Sequence, residues 1–169
     1  MGEWALALLA VVLTVGTAVL VATEFSLVAL DRPTVQQAID AGDTRARSVL
    51  ASLRRLSTQL SAAQVGITLT TLLVGYLAQP SIGRLLSVPL ATVLPADSVE
   101  SVSTLAALLL VTMLSMVFGE LVPQFLGISA PLPTAKIVAL PVRIFSAGAK
   151  PLIALLNGIW VAIWALVAG

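Results

Sequence analysis

The chain has 169 residues, of which 59% are hydrophobic and only 10% charged, and its mean hydropathy is +1.06. A soluble domain carries about a quarter of its residues as charges, so this composition excludes one and marks an integral membrane protein. There is no cysteine and no histidine; disulfides, thiolate sites and imidazole ligands are therefore excluded, and a bound cation has to sit among oxygens. The net charge of +1 says little, because orientation in a membrane follows the placement of basic residues rather than their sum.

The first apolar run extends from Trp4 to Leu30, interrupted by Thr14, Gly16, Thr17, Thr23, Glu24 and Ser26. A signal peptide has a basic start and a short apolar centre; this run begins MGEW and exceeds the roughly 20 residues that cross a bilayer. It is expected to form a first transmembrane helix over about residues 4–30.

From Asp31 to Leu56 the chain turns polar and carries Arg32, Arg45, Arg47, Arg54 and Arg55. Val49, Leu53 and Leu56 recur at helical spacing, and Gly42-Asp43 marks a turn, which predicts two short helices at the membrane surface over about 34–56.

A second span is expected over about 57–78 and a third over about 99–128. The stretch between them, QPSIGRLLSVPLATVLPADS, holds Pro80, Pro89 and Pro95 but a single basic residue, Arg84. The positive-inside bias then places the Arg-rich segment in the cytoplasm and Arg84 outside. On this topology the amino terminus is outside, the carboxyl end is cytoplasmic, and the protein belongs in the plasma (inner) membrane.

Further on, Lys136, Arg143 and Lys150 fall seven residues apart and form one basic stripe on a helix. A juxtamembrane segment is therefore expected over about 132–168. Its last part, PLIALLNGIWVAIWALVAG, is just long enough to cross, while Asn157-Gly158 and the Trp160/Trp164 pair suit an interfacial helix equally well. The chain ends inside this apolar run, and a soluble portion is expected to follow it in a longer protein.

At 100° per residue, Ser57, Ser61, Gln64, Thr68, Thr71, Gly75 and Gln79 of the second span share an arc of about 80°. In the third span Ser101, Thr104, Thr112, Ser115 and Gly119 lie to one side. Such residues permit close helix packing in lipid, and the same oxygens are what a hard cation requires.

The two membrane carboxylates sharpen this reading, since ionisable residues within spans are costly and face an interior or a water cavity. Glu120 lies in SMVFGELVPQF. Pro123 has no N–H, so the carbonyl of Gly119, four residues earlier, loses its helical donor beside that carboxylate. Prolines also merely kink membrane helices. Glu24, preceded by Thr23, stands near the inner end of the first span, where it could bind a cation or pair with an arginine at the boundary. Carboxylate, hydroxyl and carbonyl oxygens suit Mg²⁺, Ca²⁺, Mn²⁺ or Na⁺.

The words ATEFSLVALDR at 22–32, AAQVGITLTTLLVG at 62–75 and FGELVPQ at 118–124 resemble the membrane (DUF21) domain of the CNNM/CorC family of magnesium transporters. The order and spacing agree over nearly the whole chain, and PLIALLNG resembles the segment after the third helix in bacterial members. The resemblance implies an all-α homodimer with three transmembrane helices, a cytoplasmic juxtamembrane belt, and a following CBS-domain pair and CorC-type domain that this chain lacks. It implies transport of Mg²⁺, in several members Na⁺-dependent export, through an inward-facing cavity. Position by position it assigns Thr23, Glu24, Thr71, Gly119 and Glu120 as metal ligands, with Gln64, Thr68, Thr112 and Ser115 as a supporting polar seam and Pro123 as a helix kink. Thr23 stands for a family serine and Thr71 for an asparagine or serine. Gln124 replaces the family's lysine, and Ile67 an asparagine.

The rival reading is a membrane anchor and dimerisation module that presents nucleotide- or Mg²⁺-sensing cytosolic domains without transport of its own. An enzyme is not expected: no triad can be assembled, and no phosphate-cradling glycine loop is present. Nucleic-acid binding is not expected either, because the basic residues flank spans without an aromatic platform. They suit anionic lipid headgroups or the missing cytosolic domains.

Overall fold

The computed structural model describes residues 2–148, and every regular element among them is helical. Lys150 and the final apolar segment, spanning or interfacial, lie outside the described residues. In chain order the helices are α1 (Glu3–Val28), α2 (Arg32–Asp40), α3 (Ala46–Leu53), α4 (Leu56–Leu90) and α5 (Ala96–Leu114). A π-helical turn, Ser115–Leu121, then leads directly into α6 (Val122–Ser129), and residues 131–148 form α7. Among the described residues three stretches are long and apolar enough to cross a membrane: Glu3–Val28, Leu56–Leu90 and Ala96–Ser129. The all-α, three-span architecture expected from hydropathy is therefore present.

One boundary differs. The segment expected to link the second and third spans is largely helical, because α4 runs on through Pro80 and Pro89 to Leu90. A proline inside a helix forfeits one backbone hydrogen bond, here to the carbonyl of Tyr76 or Leu85. Packing offsets that loss, and neighbouring hydroxyls bond carbonyls of the same turns. Ser81 donates to the Leu77 carbonyl at 2.9 Å and Ser87 to the Arg84 carbonyl at 2.8 Å. Ser81 is buried, and Gly83 lies close to α5, where a Cβ would meet the Ala107 Cβ at 3.8 Å and the Ser103 carbonyl at 3.9 Å. Arg84 also reaches Glu3 across 2.7 Å. Thr92 donates to the Pro89 carbonyl at 2.7 Å where the helix ends.

By its contacts the chain divides into two compact units. One comprises the chain up to Val21 together with Ile67–Phe125; the other comprises Ala22–Gly66 and the chain from Leu126 onward. The first unit is built on small side chains: Ala10, Val74 and Ala78 are buried together, with Leu13 and Val111 packed against them. Its large apolar residues point outward, among them Trp4, Leu8, Tyr76 and Leu109. A water-soluble protein would bury these, whereas lipid is a good solvent for them.

In the second unit Leu27 of α1, Val35 of α2, Val49 and Leu53 of α3 and Ala135 of α7 form one apolar cluster. The α2 helix starts where DRPT makes it start. Asp31 accepts from the Thr34 backbone N–H at 3.1 Å, and Pro33 occupies the first turn, where its missing donor costs nothing. Gly42 has φ +97° at the turn into α3, a backbone that favours glycine. Next to it, Asp43 takes a 2.6 Å ion pair from Lys136 of α7. One residue of the basic stripe thus ties α7 to the turn between α2 and α3.

The hydrogen bond from Lys136 holds the Asp43 carboxyl below its ordinary range, aided by the lysine's charge and opposed by desolvation. Hydrogen bonds from Thr34 do the same for Asp31. A carboxyl whose folded pKa is depressed contributes stability that is present above its unfolded pKa, about 3.9, and is lost as pH falls through the lower folded value. Thermal midpoints in detergent should therefore drop as pH falls below about 4. Lys136→Met should flatten that acid limb while leaving the share due to Asp31; an unchanged limb would show that the ion pair does not form in solution.

Within the same unit α6 and α1 meet backbone to backbone. A Cβ added at Gly127 would lie 2.9 Å from the Phe25 Cβ, 3.0 Å from the Ser26 nitrogen and 3.2 Å from the Ala22 carbonyl. None of these atoms can swing aside. Gly127→Ala should cost about 1–3 kcal/mol by overpacking, read as a lowered thermal midpoint, whereas Gly75→Ala, which meets open space, should be neutral or slightly stabilising.

Candidate cation site

The backbone ladder of the third span changes pitch between Ser115 and Leu121. There the Val122 N–H reaches the Val117 carbonyl, five residues back. The widened turn has a local cause: Pro123 cannot donate to Gly119, so the i→i−4 series cannot continue through this point. The expected proline kink is realised as a π turn, and both Gly119 and Pro123 are buried. In membrane helices such turns expose backbone oxygen only where protein or a cavity surrounds it.

Beside this turn lies a cavity of about 10 Å³ lined by Thr14, Thr17, Thr71, Val74, Ser115, Gly119 and Glu120. All of these belong to the first unit. The volume is about that of a single water-sized sphere. Four hydroxyls and one carboxylate, from all three spans, face one small space against a single apolar side chain.

The hydroxyl bonding leaves lone pairs in that space. Thr14 donates to the Ala10 carbonyl at 2.9 Å. Thr17 Oγ1 lies 3.0 Å from the Leu13 carbonyl and 2.7 Å from Thr70 Oγ1. Each threonine has one proton to give, and with it directed to a carbonyl or to Thr70 the oxygen can act only as an acceptor or a ligand. Thr17 is 4% exposed, so its geometry is fixed by protein rather than water. Glu120 is half-buried and takes no part in the two ion pairs found among the described residues, Arg84–Glu3 and Lys136–Asp43.

Of the residues singled out in the sequence, Thr71, Ser115, Gly119 and Glu120 line this cavity together. Thr68 and Thr112 belong to the same unit but do not line it, and Gln64, Thr23 and Glu24 belong to the other unit. There Thr23 and Ser26 are buried and Ser26 donates to the Thr23 carbonyl at 3.2 Å, with Glu24 half-buried beside them. Glu24 makes neither of the ion pairs named above. The lining residues outside the sequence candidates are Thr14, Val74 and Thr17, the last noted in the sequence only as sharing a helix face with Glu24. Thr14 and Thr17 are the polar ones. Their spacing of three on α1 was a usable signal, because it sets both hydroxyls on one helix face.

Among the described residues no three acidic side chains cluster as a metal site. A cation here would be held by one carboxylate supplemented by hydroxyl and carbonyl oxygens. That donor set is hard and suits Mg²⁺, Ca²⁺, Mn²⁺ or Na⁺ rather than a thiophilic metal.

Comparison with known proteins places this arrangement. Residues 8–168 match the model of the CNNM family, described as the cyclin M transmembrane N-terminal domain. The chain is 48% identical over 147 residues to UPF0053 protein MT1890 of Mycobacterium tuberculosis, covering 86% of this chain and 32% of that protein. It is 36% identical over 156 residues to UPF0053 protein YugS of Bacillus subtilis, covering 90% and 36%, and 37% identical over 143 residues to YhdT of the same organism, covering 84% and 31%. The chain thus spans about a third of the length of these relatives. With three membrane-length helices and a family model matched along almost its entire length, this multi-pass membrane protein belongs to the CNNM transmembrane-domain family.

Proposed function

We propose that this domain carries Mg²⁺ across the membrane and that the cavity beside the π turn is where the ion sheds part of its water. The observation that carries the reading is the convergence of Glu120, Gly119 and hydroxyls from all three spans on one cavity of about 10 Å³. A fully hydrated Mg²⁺ is far larger than one water-sized sphere, and the ion gives up water reluctantly, demanding near-octahedral oxygens at about 2.0–2.1 Å in exchange. Glu120 would supply charge, Gly119 a carbonyl released by Pro123, and Thr71, Ser115, Thr14 and Thr17 neutral oxygens. Thr23 and Glu24 form a separate oxygen pair in the second unit and are assigned an ion contact of their own.

The family resemblance supports the finer picture: Na⁺-dependent export through an inward-facing cavity, a homodimer in the inner membrane with the amino terminus outside, and gating by cytosolic CBS domains in the longer protein. Na⁺ competes for the same hard oxygens, so coupling by exchange at one site is chemically natural.

Calorimetry on the purified domain tests the site, with Na⁺, Ca²⁺ and Mn²⁺ as competitors. Glu120→Gln should weaken Mg²⁺ binding about tenfold or more, a loss of at least about 1.4 kcal/mol, and should abolish flux into liposomes. Thr71→Val should weaken binding severalfold, and Glu100→Gln, remote from the cavity, should change nothing. Equal affinity in wild type and Glu120→Gln would remove this cavity from the transport path. Unchanged flux in both Glu24→Gln and Glu120→Gln would leave the domain as a membrane anchor and dimerisation module.

A further inference from the structure

A second polar cavity, in the other unit, is built entirely differently. It has a volume of about 370 Å³ and is lined by Ala51, Ser52, Arg54, Arg55, Gln59 and Arg143. Three guanidinium groups face it and no carboxylate does. The ion pairs among the described residues engage Arg84 and Lys136, and none of these three arginines.

The fold puts the charges there by construction. Arg54 is the C-cap of α3, and Arg55 is the last residue before α4 begins at Leu56. Arg143 comes from α7, held in place one turn away: Ser146 donates to Gln59 Oε1 at 3.0 Å, with both side chains buried. Gln59 keeps its amide NH₂ as a donor. Ser52 spends its proton on the Ser48 carbonyl, at 3.2 Å, and offers only acceptor lone pairs. The charged groups of the cavity are therefore all cationic, with the Gln59 amide as a neutral donor beside them.

Three like charges converging on one concave space repel each other. The C-terminal end of α3 offsets part of this for Arg54, but Arg143 stands on a different helix. Planar guanidinium groups from two directions match the oxygens of a phosphate, which they bind in bidentate fashion. The cavity also sits at the start of the second span, where the apolar run from Leu56 begins, and this is the level at which phospholipid headgroups lie.

We propose that Arg54, Arg55 and Arg143, with Gln59, form a phosphate-binding site that holds the headgroup of an anionic phospholipid. The bound lipid fastens α7 to the α3–α4 junction, since its phosphate joins a residue of α7 to residues of that link.

The test uses the chain in phosphatidylcholine nanodiscs, with spin-labelled phosphatidylglycerol and spin-labelled phosphatidylcholine as probes. Wild type should prefer phosphatidylglycerol by about tenfold. Arg143→Gln, and separately Arg54→Gln with Arg55→Gln, should each lower the preference about fivefold, and Arg143→Lys should restore part of it. Arg47→Gln, exposed on α3 outside the cavity, should leave it unchanged. Thermal midpoints of the variants control for folding. Release of the labelled lipid by millimolar inorganic phosphate would keep the phosphate site but assign it a soluble occupant. Absence of any preference, or an equal loss in Arg47→Gln and Arg143→Gln, would overturn the site and leave only diffuse surface charge.

Discussion

Inside a bilayer no water is available to satisfy a stranded backbone group, and a single imino acid in the third span breaks the ladder that solves this problem elsewhere. Everything around the candidate cation site can be traced to that break. Pro123 removes one donor, and the series of bonds slips to five-residue spacing between Ser115 and Leu121, beside the Glu120 carboxylate. Such an arrangement persists in a membrane only if neighbouring helices shield it. Here the shield consists of Thr14 and Thr17 on α1 and Thr71 and Val74 on α4.

The two units use opposite chemistry. In the first, the core is small and sparse, large apolar residues face outward, and oxygen lone pairs are turned toward a space of about 10 Å³. In the second, an apolar cluster of four elements is stitched by hydrogen bonds and an ion pair, and nitrogen donors line a space of about 370 Å³. The first offers oxygen ligands of the kind a cation takes and the second offers guanidinium groups of the kind a phosphate takes. Neither needs the histidine or cysteine that the chain lacks.

Much of this was legible from residues alone, and the reasons are particular. Bilayer thickness imposes a long apolar run, so the spans announced themselves; Gly42-Asp43 carries a local rule strong enough to divide the two short helices that follow the first span. Where reading failed, a local rule was overridden by packing. Pro80 and Pro89 look like linker residues, yet Gly83 lies against α5, Ser81 is buried, and the helix continues through them. The missing hydrogen bond at Gly119 could be deduced from Pro123, but whether the helix kinks or widens in response depends on neighbours that sequence does not display. Thr14 drew no attention because a threonine in an apolar run reads as packing until its partners are known, and Thr17 was linked by helical spacing to Glu24 rather than to Glu120. Glu24 falls in the second unit, where Thr23 and Ser26 are buried next to it in the chain.

The approach of α6 to α1 at Gly127 also has a mechanical meaning. With Phe25 and the backbone of Ala22 and Ser26 filling the gap, shifting α6 by one residue along α1 would drive a side chain of Leu126 or Ile128 into a space that admits only hydrogen. Sliding of α6 along α1 is therefore opposed at this contact, and the glycine fixes the register in which the two helices meet.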